Sequence, residues 1–405
     1  MKIVLPSKVQ QILHTLHEGG YEAYIVGGCV RDSILGRKPE DWDITTSAKP
    51  SEVKRLFRRT VDTGIAHGTV TVLLGADGFE VTTYRIDGEY QDSRHPSEVR
   101  FTKSLAQDLE RRDFTINAMA YDEELVDLFC GMQDMEDRLI RAVGDPRERF
   151  GEDALRILRA VRFSAQLDYR IEEETEKAIT ELAGTLEKIS AERIRTELQK
   201  LLLSDHPERL ADCRRYGILS VVLHELEGED DQTLQKICSC LHTAPKDVPI
   251  RLAILLHPVG EERGLGALKR LKYDNETIRQ ALVLIRAADE EIELSPAAVR
   301  RSIVRTGVDL MPKLFALKRS TGAGSRSYLD RYERIYEQVL QDGDCISIRD
   351  LSVNGNDLMR EMNMKPGKEL GETLQQLFEY VLEDPSCNEK SILLSRLKGT
   401  QESSS

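Results

Sequence analysis

Near residue 145 the hydrophobic pattern of this chain changes period, and that break limits the folds open to it. Before it, strand-like stretches (YEAYIV at 21–26, DWDITT at 41–46, TVTVLL at 69–74, FEVTTY at 79–84) alternate with helical ones at 6–18, 29–35 and 50–58. After it, segments such as EDALRILRAVRFSAQL, EEETEKAITELA and AERIRTELQKLLL place apolar residues every three or four positions, and alternating β-branched runs vanish. The pattern predicts an α+β class, with a mixed front and an all-helical remainder. Several local expectations follow. Ser47 or Ser51 caps the helix over 50–58. GADG joins two strands as a hairpin, and the polar, Gly- and Pro-bearing stretch 85–101 is a mobile loop. LAQDLERRDFTINAMAY returns to helix, and the terminal TQESSS is disordered.

The chemistry is concentrated in four short segments. Asp41 and Asp43 flank Trp42; in a strand the two carboxylates share one face while Trp42 and Ile44 turn to the core. Two carboxylates side by side repel each other, and a hard divalent cation such as Mg2+ relieves that repulsion. Such a pair serves phosphoryl transfer with two metal ions. A solvated strand can carry the same spacing by chance. The segment before it, YIVGGCVRDSILG, reads as strand, double glycine and short helix. This places Gly28 and Arg31 where a backbone approaches a phosphate closely. Glu80 in FEVTTY is either a third carboxylate beside the pair or a solvated residue. In RRDFTINA (111–118), Arg112 is a candidate phosphate ligand; Asp113 would order an arginine or meet a ribose hydroxyl.

In EDALRILRAVRF (152–163), Asp153, Arg156, Arg159 and Arg162 recur every third residue as a polar row on one helix. Asp153 accepts hydrogen bonds and Arg156 donates them. Cytosine and adenine each offer an exocyclic amine beside a ring-nitrogen acceptor, whereas uracil and guanine present the reverse. An Asp–Arg pair thus accepts C and A without a template, since the wrong base leaves a charged group unpaired. A plain i,i+3 salt bridge is the structural alternative.

Taken in order, GGCVRD (27–32), DWD (41–43), RRDFTINA and EDALRILRAVRF resemble the class II tRNA nucleotidyltransferase and bacterial poly(A) polymerase family, and LSVNGNDLMREMNMKPGKELGETLQQLFEYVLEDPSCNEKSIL resembles the tail of its CCA-adding members. The resemblance spans nearly the whole chain. It implies a polymerase-β-like nucleotidyltransferase head with an antiparallel or mixed sheet (1–140), then helical neck (141–205), body (206–320) and tail (321–405). It implies CTP and ATP as substrates and the tRNA acceptor end as partner. Asp41 and Asp43 would hold magnesium, with Glu80 beside them, and Gly28 and Arg31 would meet the triphosphate. Arg112, Asp153, Arg156, Arg159 and Arg162 would line the nucleotide pocket. Loop 85–101 stands at full length, unlike in CC-only members of the family. Where some members carry a metal phosphohydrolase His-Asp signature, this chain reads LAILLHPVG with Pro258, so that activity is not expected.

The charge balance bears on the partner. A net charge of −13 argues against a nucleic acid, yet residues 141–170 carry seven arginines against five acids. Screening confines fields to about 8–10 Å, so a local basic surface can act on an acidic protein. Seven scattered cysteines without a CxxC pair read as reduced, buried thiols. The absence of a signal-like start or a long apolar run predicts a cytoplasmic protein without a membrane span. A homodimer is left open. The alternatives weighed are an A-adding enzyme or poly(A) polymerase, an inactive RNA-binding protein that kept the fold, and a nucleotidyltransferase acting on a small molecule or protein.

Overall fold

The computed structural model describes residues 2–87 and 99–402. It divides into two compact units, one of residues 1–242 with 270–272, the other of 243–269 with 273–405.

The first unit opens with α1 (Ser7–Glu18), which buries Val9, Ile12, Leu13 and Leu16, and ends at Gly19–Gly20. Then come β1 (Ala23–Val26), α2 (Gly28–Ile34), β2 (Ile44–Thr46), α3 (Pro50–Leu56), β3 (Thr60–Gly64), β4 (Thr69–Leu74) and β5 (Asp77–Thr83). With β8 (Met119–Asp122) and β9 (Glu124–Asp127) the strands form one seven-stranded sheet in the order β3-β4-β5-β2-β1-β8-β9. Its pairings are antiparallel except β2 with β5, which run parallel with Ile44 opposite Val81. This mixed sheet with helices, followed by helices, is the α+β class expected. The helical run holds α6 (Pro146–Glu152), α7 (Leu155–Leu167), α8 (Glu173–Leu182) and α9 (Ala191–Leu202); before it lie α4 (Leu105–Glu110) and α5 (Gly131–Glu136). The second unit is built of helices such as Val248–Leu256, Asn275–Ala287 and Arg326–Gln341. Its last part packs around Leu358, Phe378, Val381 and Leu393. Among the described residues no helix is long and apolar enough to cross a membrane.

Several local expectations are corrected. The strand expected over 41–46 begins only at Ile44. Val26 N still donates to Asp43 O (3.0 Å), but Gly27, at φ +78°, turns β1 away, so Asp41 and Trp42 lose their partner strand. Trp42 is half-buried and lines an open cleft rather than the core. Neither Ser47 nor Ser51 caps α3; Lys49 stands at its start, and its N–H donates to the Glu52 carboxylate (2.7 Å). The hairpin turn tightens to Gly75–Ala76, since Leu74 already faces Asp77. The stretch expected as a loop begins and ends in strand, β6 (Arg85–Asp87) pairing antiparallel with β7 (Val99–Phe101). Residues 88–98 lie outside the described residues. The terminal helix runs to Glu402, so only 403–405 of the expected disordered tail lie outside the description. Cys130 is exposed, against the expectation of buried thiols.

RRDFTINA is not helical at its start. After α4 ends at Glu110, Arg111–Asp113 form a turn because their neighbours take distant partners: Thr115 N donates to Arg141 O, and Val143 N to Asp113 O. Residues 152–163 do not form one helix either. Asp153 is extended (φ −142°, ψ 100°), and its carboxylate accepts from Leu155 N (3.1 Å), so it stands ahead of α7 as a cap.

Candidate active site

The cleft beside β2 has a volume of about 780 Å3 and is lined by Glu40, Asp41, Trp42, Asp43, Thr71, Asp77, Phe79 and Glu80, with Lys8 at its edge. The parallel pairing of β2 and β5 sets Glu80 one step before Val81 as Asp43 is one step before Ile44, so the two acids stand level on neighbouring strands. This brings Asp41, Asp43 and Glu80 together. Desolvation by the cleft walls raises the pKa of Asp43; Arg112 opposes that rise, and the carboxylates of Glu80 and Asp41 add to it. The chemistry of this donor set fits magnesium, which takes one or two carboxylates and draws its other ligands from water and phosphate oxygens. Among the described residues, no three His, Cys, Asp or Glu side chains converge to enclose a metal by themselves.

Behind the acids lies the turn of the double glycine. Gly27 adopts φ +78°, and a Cβ there would stand 3.3 Å from Arg112 Nη1. Gly28, the first residue of α2, has an ordinary φ, so the constraint the sequence assigned to the pair falls on its neighbour. Arg112 Nη2 donates to Asp108 Oδ2 at 3.3 Å; among the described residues its Nε is buried without an acceptor. An orphaned guanidinium nitrogen next to an acid cluster is a ready partner for an anionic ligand. Arg31 is buried and spoken for: Nε donates to Asp32 (2.9 Å) and Nη1 to Asn117 Oδ1 (2.6 Å).

The arginines of α7 are also engaged. Arg156 pairs with Glu152 (2.6 Å) and donates to Arg149 O and Arg111 O. Asp153 pairs with Arg193 through two bonds of 3.2 and 2.7 Å. The side chains of Asp153 and Arg156 are therefore not paired with each other, as the helical reading had placed them. Arg159 donates to Asp113 (2.8 Å), which orders an arginine, one of the two roles expected of it. Burial pushes the Asp113 carboxyl up, but Arg159 and Asn117 outweigh it and hold the pKa well below the usual carboxylate range. Arg162 donates to Glu197 (2.8 Å) and stacks over Phe163, 3.5 Å from the ring centre; Arg31 and Arg159 flank the same ring at 5.1 and 5.2 Å. Burial, then repulsion by Arg159, lowers the pKa of Arg162 to about 10. Glu197, Asn117, Phe163 and Arg193 were not singled out in the sequence. Glu197 stands 35 residues from Arg162, and no local spacing signals such a pair. Asp108, three and four residues before Arg111 and Arg112, carried a signal in its helical spacing.

Residues 23–141 match the family of the poly A polymerase head domain, 168–229 a probable RNA- and SrmB-binding site of polymerase A, and 252–397 a putative tRNA nucleotidyltransferase domain 2. The chain is 37% identical over 411 residues to the CCA-adding enzyme of Streptococcus suis, with 98% of each chain covered. To that of Levilactobacillus brevis it is 39% identical over 389 residues, covering 95% of each. The crystal structure of the Bacillus stearothermophilus CCA-adding enzyme in complex with CTP superposes with a TM-score of 0.83 at 30% identity, covering 99% of this chain and all of that one. Full-length likeness at this level, on a head whose cleft is lined by Asp41, Asp43 and Glu80, makes the chain a member of the tRNA nucleotidyltransferase and poly(A) polymerase family, among its CCA-adding enzymes.

Proposed function

We propose that this protein adds C, C and A in turn to the 3′ end of tRNA from CTP and ATP, without a template and with release of pyrophosphate. The full-length likeness to CCA-adding enzymes carries the reading, and the grouping of Asp41, Asp43 and Glu80 beside Arg112 supports it chemically. Asp41 and Asp43 would hold magnesium, which when bound supplies charge neutralisation and a lowered pKa for the attacking hydroxyl, in the manner of paired ions. The tRNA 3′-hydroxyl gives up its proton to solvent as its oxygen bonds to the α-phosphorus, the bond from that phosphorus to the oxygen bridging the β-phosphate breaks, and the electron pair leaves with pyrophosphate. Gly28 and the turn before it let the triphosphate approach the backbone, while Arg112 and Arg31 offset its charge. Arg31 would exchange Asn117 for phosphate. Asp153 and Arg156 read the base by trading Arg193 and Glu152 for its Watson–Crick edge, with Arg159 and Arg162 holding the pocket wall. The chain would divide into head, neck, body and tail at about 140, 205 and 320, the helical parts gripping the acceptor stem in the cytoplasm.

The test uses three tRNAs, ending before C, after C and after CC, each with CTP, ATP or both and Mg2+. Completion of CCA on all three is expected. Extension of the CC-ended tRNA alone would make this an A-adding enzyme, long A tails a poly(A) polymerase, and no extension of any RNA an inactive binder.

A further inference from the structure

Asp108 belongs to none of the roles assigned so far, yet it is fully buried on α4 under the active site. Its two oxygens gather four groups from three elements. Oδ1 accepts from Arg111 Nε (3.0 Å) and Nη2 (2.8 Å) and from the backbone N–H of Arg85 (3.3 Å). Oδ2 accepts from Arg112 Nη2 (3.3 Å) and from the hydroxyl of Thr45 (3.1 Å), two residues beyond Asp43 on β2. A buried carboxylate survives only when its acceptors are met, and these donors meet them. Burial pushes this carboxyl up, but Arg111 and Arg112 outweigh it and its pKa is lowered.

The turn that Asp108 pins carries three separate parts of the pocket. Arg112 stands against the double-glycine turn, its Nη1 3.3 Å from where a Cβ on Gly27 would lie, and its buried Nε has no acceptor among the described residues. The carbonyl of Arg111 accepts Arg156 Nη2 at 2.8 Å. Asp113 holds Arg159. We infer that Asp108 is a positioning residue for nucleotide selection: by tying the Arg111–Asp113 turn to Thr45 on β2, it sets the base-facing Arg156 and the phosphate-facing Arg112 in register with the acid pair. A carboxylate, rather than an amide, is required because two guanidiniums converge on it, and an Asn offers one acceptor oxygen and an unwanted donor.

This rests on the reading that Arg112 and Arg156 serve the nucleotide. The experiment compares Asp108→Asn, Arg112→Lys and the double variant in single-nucleotide addition to full-length tRNA. It measures kcat and KM for CTP and ATP and the incorporation of UTP and GTP relative to them. Asp134→Asn is the control, since Asp134 is an equally buried acid of the head that binds Thr115 and Arg141. The expected result is a fall of at least about tenfold in kcat/KM for both nucleotides in Asp108→Asn, with raised misincorporation and a less than additive loss in the double variant. The control loses thermal stability but keeps its base choice. Wild-type constants and base choice in a folded Asp108→Asn protein overturn the inference, as does a loss that adds fully to that of Arg112→Lys. Should Asp108→Asn not fold, Thr45→Val removes one bond to the same carboxylate; a smaller loss in the same direction upholds the inference and unchanged constants overturn it. Wild-type constants in Arg112→Lys itself would remove the nucleotide reading beneath it.

Discussion

At the scale of single residues, the site separates groups poised for a ligand from groups already engaged. Asp41 and Asp43 stand in the open cleft, so replacing either by Ala should lower nucleotide addition by at least about 100-fold while tRNA binding persists. Retained turnover would remove the metal role. Gly27→Ala should raise the KM for CTP and ATP severalfold, since it adds a side chain at φ +78° and pushes on Arg112; steady-state kinetics in a folded variant decide it. Asp113 is engaged instead, and its pKa is depressed in the fold. The stability it confers is present above the unfolded carboxylate pKa of about 4 and fades as pH falls below that. Asp113→Asn should cost about 3 kcal/mol at pH 7 and flatten the acid limb of a melting-temperature profile; an unchanged limb would contradict the assignment. The closeness of Asp41, Asp43 and Glu80 was legible from short spacing and the neighbouring strand of Glu80, whereas strand parity fails at Asp41 because β2 begins only at Ile44. The partners of Asp153 and Arg156 were not: the i,i+3 rule assumes an unbroken helix, and Asp153 ends one helix to cap the next.

Among elements, the sheet and the order of helices were readable from hydrophobic period, and the misreadings fall where distant partners override local preference. The RRDFTINA segment has helical spacing, yet its backbone bonds to residues 141–143. Gly131, the first residue of α5, packs against it so closely that a Cβ would lie 2.4 Å from Thr115 O. A carbonyl cannot move aside as a flexible side chain can. Gly131→Ala should therefore destabilise the protein by about 1–3 kcal/mol and disturb nucleotide binding with it, as urea unfolding and CTP titration would report. The same substitution at Gly151, where a Cβ meets nothing, should leave both unaltered. No sequence rule distinguishes these two glycines, because the difference lies in what packs opposite.

Taken as a whole, the molecule is acidic, with a net charge of −13, so binding of tRNA phosphates would draw on basic side chains close to them rather than on the overall field. Raising salt from about 50 to about 200 mM should weaken tRNA binding at least tenfold and alter the KM for CTP far less; a tRNA affinity indifferent to salt would argue against phosphate contacts. The sheet order also has a temporal consequence. The strand that leads out of the acid pair is the fourth of seven, with three neighbours on each side. Outer strands open first in the fluctuations of a folded protein, and interior ones only when the whole unit opens. Backbone amides of Ile44–Thr46 should thus be among the last to exchange with heavy water, and those of Thr60–Gly64 among the first. The loop that carries Asp41 and Asp43 would then be anchored to the slowest clock in the head, while the rim breathes around it.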